Sequence, residues 1–237
     1  MSKYKAIGII LRRTDYGEAD RVYTILTPDG KISAIAKSVR KMTAKLSRHL
    51  ELLCEIDLVL AGGKRLDVVT SAQIKSNYVV SDDYESLKRG FLFLEMSDRL
   101  SEDKDTADIY YCLRDGLQSL KCQSKPTASE LAFKLNLLKC LGQEPNLSVA
   151  VDTQQPIESG RDYRFDYEEG GLVEDVASDS ADNLSSDAIK YWRICLRSGI
   201  ANATRIRGAD NIADDSVLVC NRFFDYLYGI EFKADQI

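Results

Sequence analysis

The fold is decided in residues 4–39, YKAIGIILRRTDYGEADRVYTILTPDGKISAIAKSV. Three runs within it, YKAIGIILRR, DRVYTILT and KISAIAKSV, are rich in β-branched and aromatic residues, and the interruptions TDYGEA and PDG carry turn residues. Ile7, Ile9 and Leu11 recur at every second position, the period of a strand with one buried face. Pro28-Asp29-Gly30 supports a tight turn. Working outward, LELLCEIDLVL (50–60) and RLDVVTSAQI (65–74) read as two further strands, with Leu66, Val68, Thr70 and Ala72 alternating in the second. Gly62-Gly63 between them supplies a turn where positive φ costs little. Five short antiparallel strands suit a small closed barrel of the OB type, because closure removes exposed edges.

Past Asp82 the apolar spacing becomes helical. YESLKRGFLFLEMSDRLS (84–101), ADIYYCLRDGLQSLK (107–121), TASELAFKLNLLKCLG (127–142), SSDAIKYWRICLRSG (185–199) and DDSVLVCNRFFDYLYG (214–229) place apolar residues three and four apart. Ser81, Asp82 and Asp83 precede the first helix, Pro126-Thr127 opens the third, Gly142 closes it, and Ser185-Ser186-Asp187 opens the fourth. Residues 143–184 read as an irregular insert, and the acidic, Ser-rich EDVASDSADNLSSD (174–187) at its end as a solvated loop. The fold class is α+β: an OB-type barrel over residues 1–80, then a mainly α-helical domain over 81–237.

The chain has 237 residues, 44% hydrophobic and 29% charged, enough for a sizeable core. Its apolar runs are broken by charge before they reach membrane-spanning length, and MSKYKAIG lacks a signal-peptide hydrophobic region, so cytoplasmic residence is the expectation. Cys54, Cys112, Cys122, Cys140, Cys195 and Cys220 are scattered, with no C-x-x-C pair and only His49 to assist, which predicts buried thiols and no metal or other cofactor. No phosphate-binding loop or nucleophile elbow occurs, and a single histidine leaves little for general-base chemistry, so an enzyme is not expected.

The net charge of −5 hides an asymmetry. Residues 1–75 hold 14 Lys or Arg against 8 Asp or Glu, and the remainder 18 against 29. Positive charge is densest in KISAIAKSVRKMTAKLSRH (31–49), six Lys or Arg with no acid, in the connection from the third strand to the fourth. A basic module facing a polyanion fits this pattern, and OB folds present such connections beside a nucleic-acid groove. Lys37, Arg40, Lys41, Lys45 and Arg48 are the candidate phosphate contacts, with Arg12, Arg13, Arg21, Lys64 and Arg65 flanking them. Tyr16 and Tyr23 are candidates for base stacking, although Tyr23 fits an inward-facing strand position equally well.

Five segments in register make the chain resemble the RecO recombination mediators, DNA repair proteins of bacteria: GIILRRTDYGEADRVYTILTPDGKISAIAKSVRK (8–41), LDVVTSAQI (66–74), FKLNLLKCLGQEPNL (133–147), YRFDYEEGGLV (163–173) and NLSSDAIKYWRICLRSG (183–199). The resemblance implies an OB domain followed by a helical domain. It also implies a non-catalytic protein that binds single- and double-stranded DNA, anneals strands, contacts the single-stranded-DNA-binding protein and, with RecR, helps load RecA. Many members carry a Cys-rich zinc module after the third helix; here that position reads SVAVDTQQPIESGRDYRF (148–165), without cysteine. The insert is therefore expected to rest on Tyr163, Phe165, Tyr167 and Leu172 packed against the third helix.

The implied protein partner has an acidic C-terminal tail ending in an aromatic residue with a free carboxylate. It needs an apolar pocket rimmed by cations. Phe133, Lys134, Tyr163 and Arg164 are the first choice; Lys190, Arg193 and Arg197, opposite Ile189, Trp192 and Leu196 on one helix, are the alternative. Two rival functions remain. An RNA-binding OB factor of translation or RNA processing explains the basic barrel but not the long helical domain. A metal-dependent nuclease would need Asp82-Asp83 or Glu168-Glu169, pairs more simply read as a helix cap and a loop.

Overall fold

The computed structural model describes residues 2–79, 83–101, 106–121, 126–174, 181–230 and 232. Ser81, Asp82, Cys122 and residues 175–180 of the acidic run lie outside the described residues. The chain divides into two compact units, Met1–Lys121 with Phe232–Ile237, and Cys122–Glu231.

In the first unit, strands β1 (Lys3–Tyr16), β2 (Asp20–Thr27), β3 (Gly30–Ala36), β4 (Cys54–Ala61) and β5 (Asp67–Asn77) close into a barrel in the order β1-β2-β3-β5-β4. The pairs are antiparallel except β3 with β5, whose parallel register Ala34 to Asp67 completes the ring of an OB fold. Pro28 and Asp29 alone separate β2 from β3, and Gly30 has φ 143°. The β4–β5 hairpin differs from expectation. Neither of its glycines has positive φ; a Cβ on Gly63 would lie 1.8 Å from the Leu66 carbonyl oxygen, so close backbone approach is what requires glycine there.

Strand alternation also needs correction. The barrel interior holds Ile10, Tyr23, Ile25, Ala34, Ala36, Ile56, Leu58, Leu60 and Val69, the opposite parity from Ile7, Ile9 and Val68. Ile9 and its cross-strand partner Leu26 point outward yet are fully buried, because helices α1 (Tyr84–Leu100) and α2 (Thr106–Leu120) pack on the outside of β1 and β2. Register shifts at Ile10/Arg12 and Val59/Leu60 further break the period. Tyr110 on α2 donates to Glu55 Oε1 on β4 at 2.6 Å, and Ser76 on β5 donates to the other oxygen at 3.3 Å, satisfying a buried carboxylate. These contacts carry the first unit to Lys121, whereas the change in sequence period falls near residue 80.

The second unit is built around α3 (Thr127–Cys140), apolar on nearly every side and buried on nearly every side. Helices α4 (Ser186–Ser198), α5 (Ile200–Ala203) and α6 (Ala209–Tyr228) surround it. Ser185 Oγ accepts from the Ala188 N–H at 3.2 Å and caps α4; Asp210, from α6, accepts from the Ala128 N–H at 3.2 Å and performs that service for α3. The sequence places the start of α6 at Asp214, but the helix begins at Ala209, after Gly208 in the left-handed region. Asp214 and Asp215 ride on its exposed face.

Residues 143–184 are not irregular throughout. Strands β6 (Tyr163–Asp166), β7 (Gly171–Val173) and β8 (Ala181–Leu184) form a sheet in the order β7-β6-β8. Part of the presumed solvated loop is thus β8, with Ala181 and Leu184 buried. Glu168 and Glu169 are in the turn after β6, their N–H groups donating to Asp166 Oδ1 at 2.8 and 3.1 Å.

Candidate nucleic-acid interface

Cross-strand register decides which cations meet at one end of the barrel. Arg13 pairs with Tyr23, Asp15 with Arg21, and Arg21 with Ala36. Since Tyr23 and Ala36 face the interior, Arg13, Asp15 and Arg21 share that parity and gather at the barrel mouth. Arg21 Nε donates to Asp15 Oδ1 at 2.7 Å, and this bond is the main reason the Asp15 carboxyl is held below its ordinary value. Arg13 Nη1 donates to Glu51 Oε2 at 2.9 Å. Arg40 Nε lies 3.4 Å from Asp15 Oδ2, its Nη1 donates to the Gly17 carbonyl at 3.3 Å, and its backbone N–H to Ala19 at 2.9 Å. Arg40 therefore ties the basic connection to the β1–β2 turn.

The connection is ordered by its apolar members. Val39 and Leu50 are buried in the barrel core and Leu46 packs against it, while residues 45–49 make a short 3-10 helix. Lys37, Lys41, Lys45 and Arg48 consequently point to solvent, and among the described residues no carboxylate neutralises them. Arg12 is on the outer face and donates to Asp98 of α1 at 3.1 Å.

The ten cations are not one cluster. Lys64 and Arg65 are exposed in the β4–β5 hairpin, where Gly62 donates to Ser2 and Tyr4 bonds to Asp67. That is the opposite end of β1 from Arg13 and Tyr16, so these two form a separate patch. Tyr16 is 59% exposed beside the β1–β2 turn. Tyr23 is 1% exposed, which removes it as a stacking residue and establishes the inward-facing alternative; burial raises its phenol pKa.

The first-choice tail site is corrected. Phe133 and Tyr163 are buried, and Lys134 is 5% exposed, donating to Glu130 and Asn221 at 2.6 Å each. Arg164 donates to the Ala181 carbonyl. The all-round apolarity of α3 and the Glu130–Lys134 spacing were the signals that this lysine lies inside. The alternative set fares differently. Lys190 and Arg193 line a small open recess with Arg161, Glu158, Ser186, Ile157 and Ile189. Arg161 was missed by sequence reasoning because only the β6–β8 sheet brings residues 157–161 to the start of α4.

The N-terminal domain model for recombination protein O matches residues 1–78, and the C-terminal model matches residues 81–236. The chain belongs to the RecO family. It is 39% identical over 178 residues to the DNA repair protein RecO of Heliobacterium modesticaldum, covering 73% of this chain and 65% of that protein. It is 32% identical over 209 residues to the DNA repair protein RecO of a Dehalococcoides mccartyi strain (86% and 82%), and 32% identical over 208 residues to that of Bifidobacterium adolescentis (85% and 83%).

The zinc module of many RecO proteins does not fit the residues here. Residues 148–165 contain neither Cys nor His. Among the described residues no three His, Cys, Asp or Glu come together as a ligand set. Cys54, Cys112, Cys195 and Cys220 are buried, and burial pushes the Cys195 and Cys220 thiols up to about 12, far from the thiolate that binds zinc. Elemental analysis of the purified protein is expected to find no stoichiometric zinc; about one tightly held ion per chain, or unfolding by a chelator, would contradict this.

Proposed function

We propose that this RecO-family protein is a non-catalytic recombination mediator. It binds single- and double-stranded DNA through the basic connection, anneals complementary strands and, with RecR, helps load RecA on DNA coated with single-stranded-DNA-binding protein. The observation that carries the reading is the set of four un-neutralised cations, Lys37, Lys41, Lys45 and Arg48, held outward by the buried Val39 and Leu50 in a chain of net charge −5. Their attraction is for phosphate and is indifferent to base sequence. The test is annealing of complementary strands coated with single-stranded-DNA-binding protein, without ATP and without added metal. Acceleration supports the reading; cleavage of the strands, or activity confined to RNA, would replace it.

For the acidic tail of the single-stranded-DNA-binding protein, we assign the recess of Arg161, Lys190 and Arg193. The three cations rim it and would pair the tail's carboxylates, while Ile157 and the buried Ile189 contribute a small apolar wall beside Glu158. Lys190 also lies 3.1 Å from Asp187, and Arg193 Nε donates to the Leu147 carbonyl at 2.9 Å, so Arg193 helps build the recess as well as charge it. Replacing Arg161 and Lys190 with glutamate is expected to abolish tail-peptide binding in a titration while leaving binding of bare DNA within about twofold. Unchanged peptide affinity would reject this assignment.

A further inference from the structure

Met42 is the apex of the basic connection. Its accessible fraction is 103%, whereas Met96 is fully buried in α1. The exposure is built in. Lys41 N–H donates to the Ser38 carbonyl at 3.2 Å and Ala44 N–H to the Lys41 carbonyl at 2.9 Å, which places Met42 in a turn. Val39 on one side and Leu50 on the other are buried in the barrel core and fix the ends. A single exposed apolar side chain is ordinary on a protein surface. This one sits between Lys41 and Lys45, where among the described residues no carboxylate competes for the cations, and Arg40 fastens the same segment to the turn that displays Tyr16.

A ligand drawn to Lys41 and Lys45 by its phosphates brings its bases within reach of whatever apolar group stands between them. Nucleobase faces are the apolar part of such a ligand, and in a duplex they are covered by stacking. A thioether on a flexible chain fits an irregular apolar face without demanding one shape. We propose that Met42 is a base-contacting residue, pressed against the open face of an unstacked nucleobase in single-stranded DNA. The inference rests on the DNA-binding reading of the connection and adds what phosphate contacts lack, a preference for strands whose base faces are open.

The test compares oligo(dT) with a deoxyribose-phosphate chain of equal length that lacks bases, using the full-length protein. Met42→Ala is expected to weaken oligo(dT) binding about fivefold, comparable to the lower end of what stacking on an aromatic side chain contributes. Affinity for the base-free chain and the salt dependence should not change, and Met42→Leu should restore binding. In the wild-type protein, peroxide oxidation of Met42, followed by mass spectrometry against buried Met96, should slow with oligo(dT) and much less with the base-free chain. If Met42→Ala binds both polymers as wild type does, or oligo(dT) leaves the oxidation rate unchanged, the base contact is rejected while the phosphate interface stands. If the wild-type protein binds neither polymer, the interface reading and this inference fall together.

Discussion

Replacing Lys41, Lys45 and Arg48 together with glutamate is expected to weaken binding to single-stranded DNA on the order of a hundredfold or more at about 50 mM salt. Each phosphate contact on a single strand contributes roughly 0.7 to the slope of log affinity against log salt, so losing three flattens that slope by about two units. Duplex binding should fall with it, because phosphates are common to both ligands. Arg40 belongs to the architecture of the connection. Its guanidinium and backbone hold Gly17, Ala19 and Asp15, and a glutamate there would face Asp15 and loosen the connection itself. The three chosen side chains are exposed and unpaired, so stability should change by no more than about 0.5 kcal/mol each. A folded triple variant, shown by its melting curve, that binds DNA with wild-type affinity and salt dependence would reduce the connection to a solvated basic loop.

The exposure of the basic connection was partly legible in the sequence, and the failures have physical causes. Cations cannot easily be buried unpaired, so a run of six without an acid had to reach solvent or find acids elsewhere: Lys31 lies beside Asp98 and Arg40 beside Asp15, and the other four are exposed. Which of the barrel's cations are neutralised depends on partners far along the chain, such as Glu51 for Arg13 and Asp98 for Arg12, and linear charge density does not reveal those pairs. The barrel was readable from turns and strand-forming runs, but its inward parity was not: α1 and α2 cover the outside of β1 and β2, so Ile9 and Ile10 are equally apolar and equally buried. The β6–β8 sheet escaped because its strands have 4, 3 and 4 residues, too short for a period-two signal. Lys134 was misplaced by treating a lysine as a surface residue in a helix that is buried from Thr127 to Leu135.

Phe165→Ala is expected to be the most damaging single change in the second unit. The ring contacts of the insert's central strand include α4 and α6. Phe165 lies on β6 between β7 and β8, fully buried, its ring centroid 5.0 Å from Phe223, 5.5 Å from Trp192 and 6.1 Å from Tyr167. This ring is one joint between the small sheet and the helices; Arg222 of α6, which donates to Asp182 of β8, is another. Truncating a fully buried phenylalanine typically costs about 3–5 kcal/mol, through lost burial and the cavity left behind. The aromatic contacts are part of that figure. For a chain of this size the loss corresponds to a melting point lower by roughly 10 °C. Phe165→Leu keeps much of the volume and should lose less than half as much stability. Urea unfolding of both variants, with and without chelator, measures this directly. A loss under about 1 kcal/mol for Phe165→Ala would show that the sheet is held by its edges, and chelator sensitivity of the wild type would show that a metal shares the task.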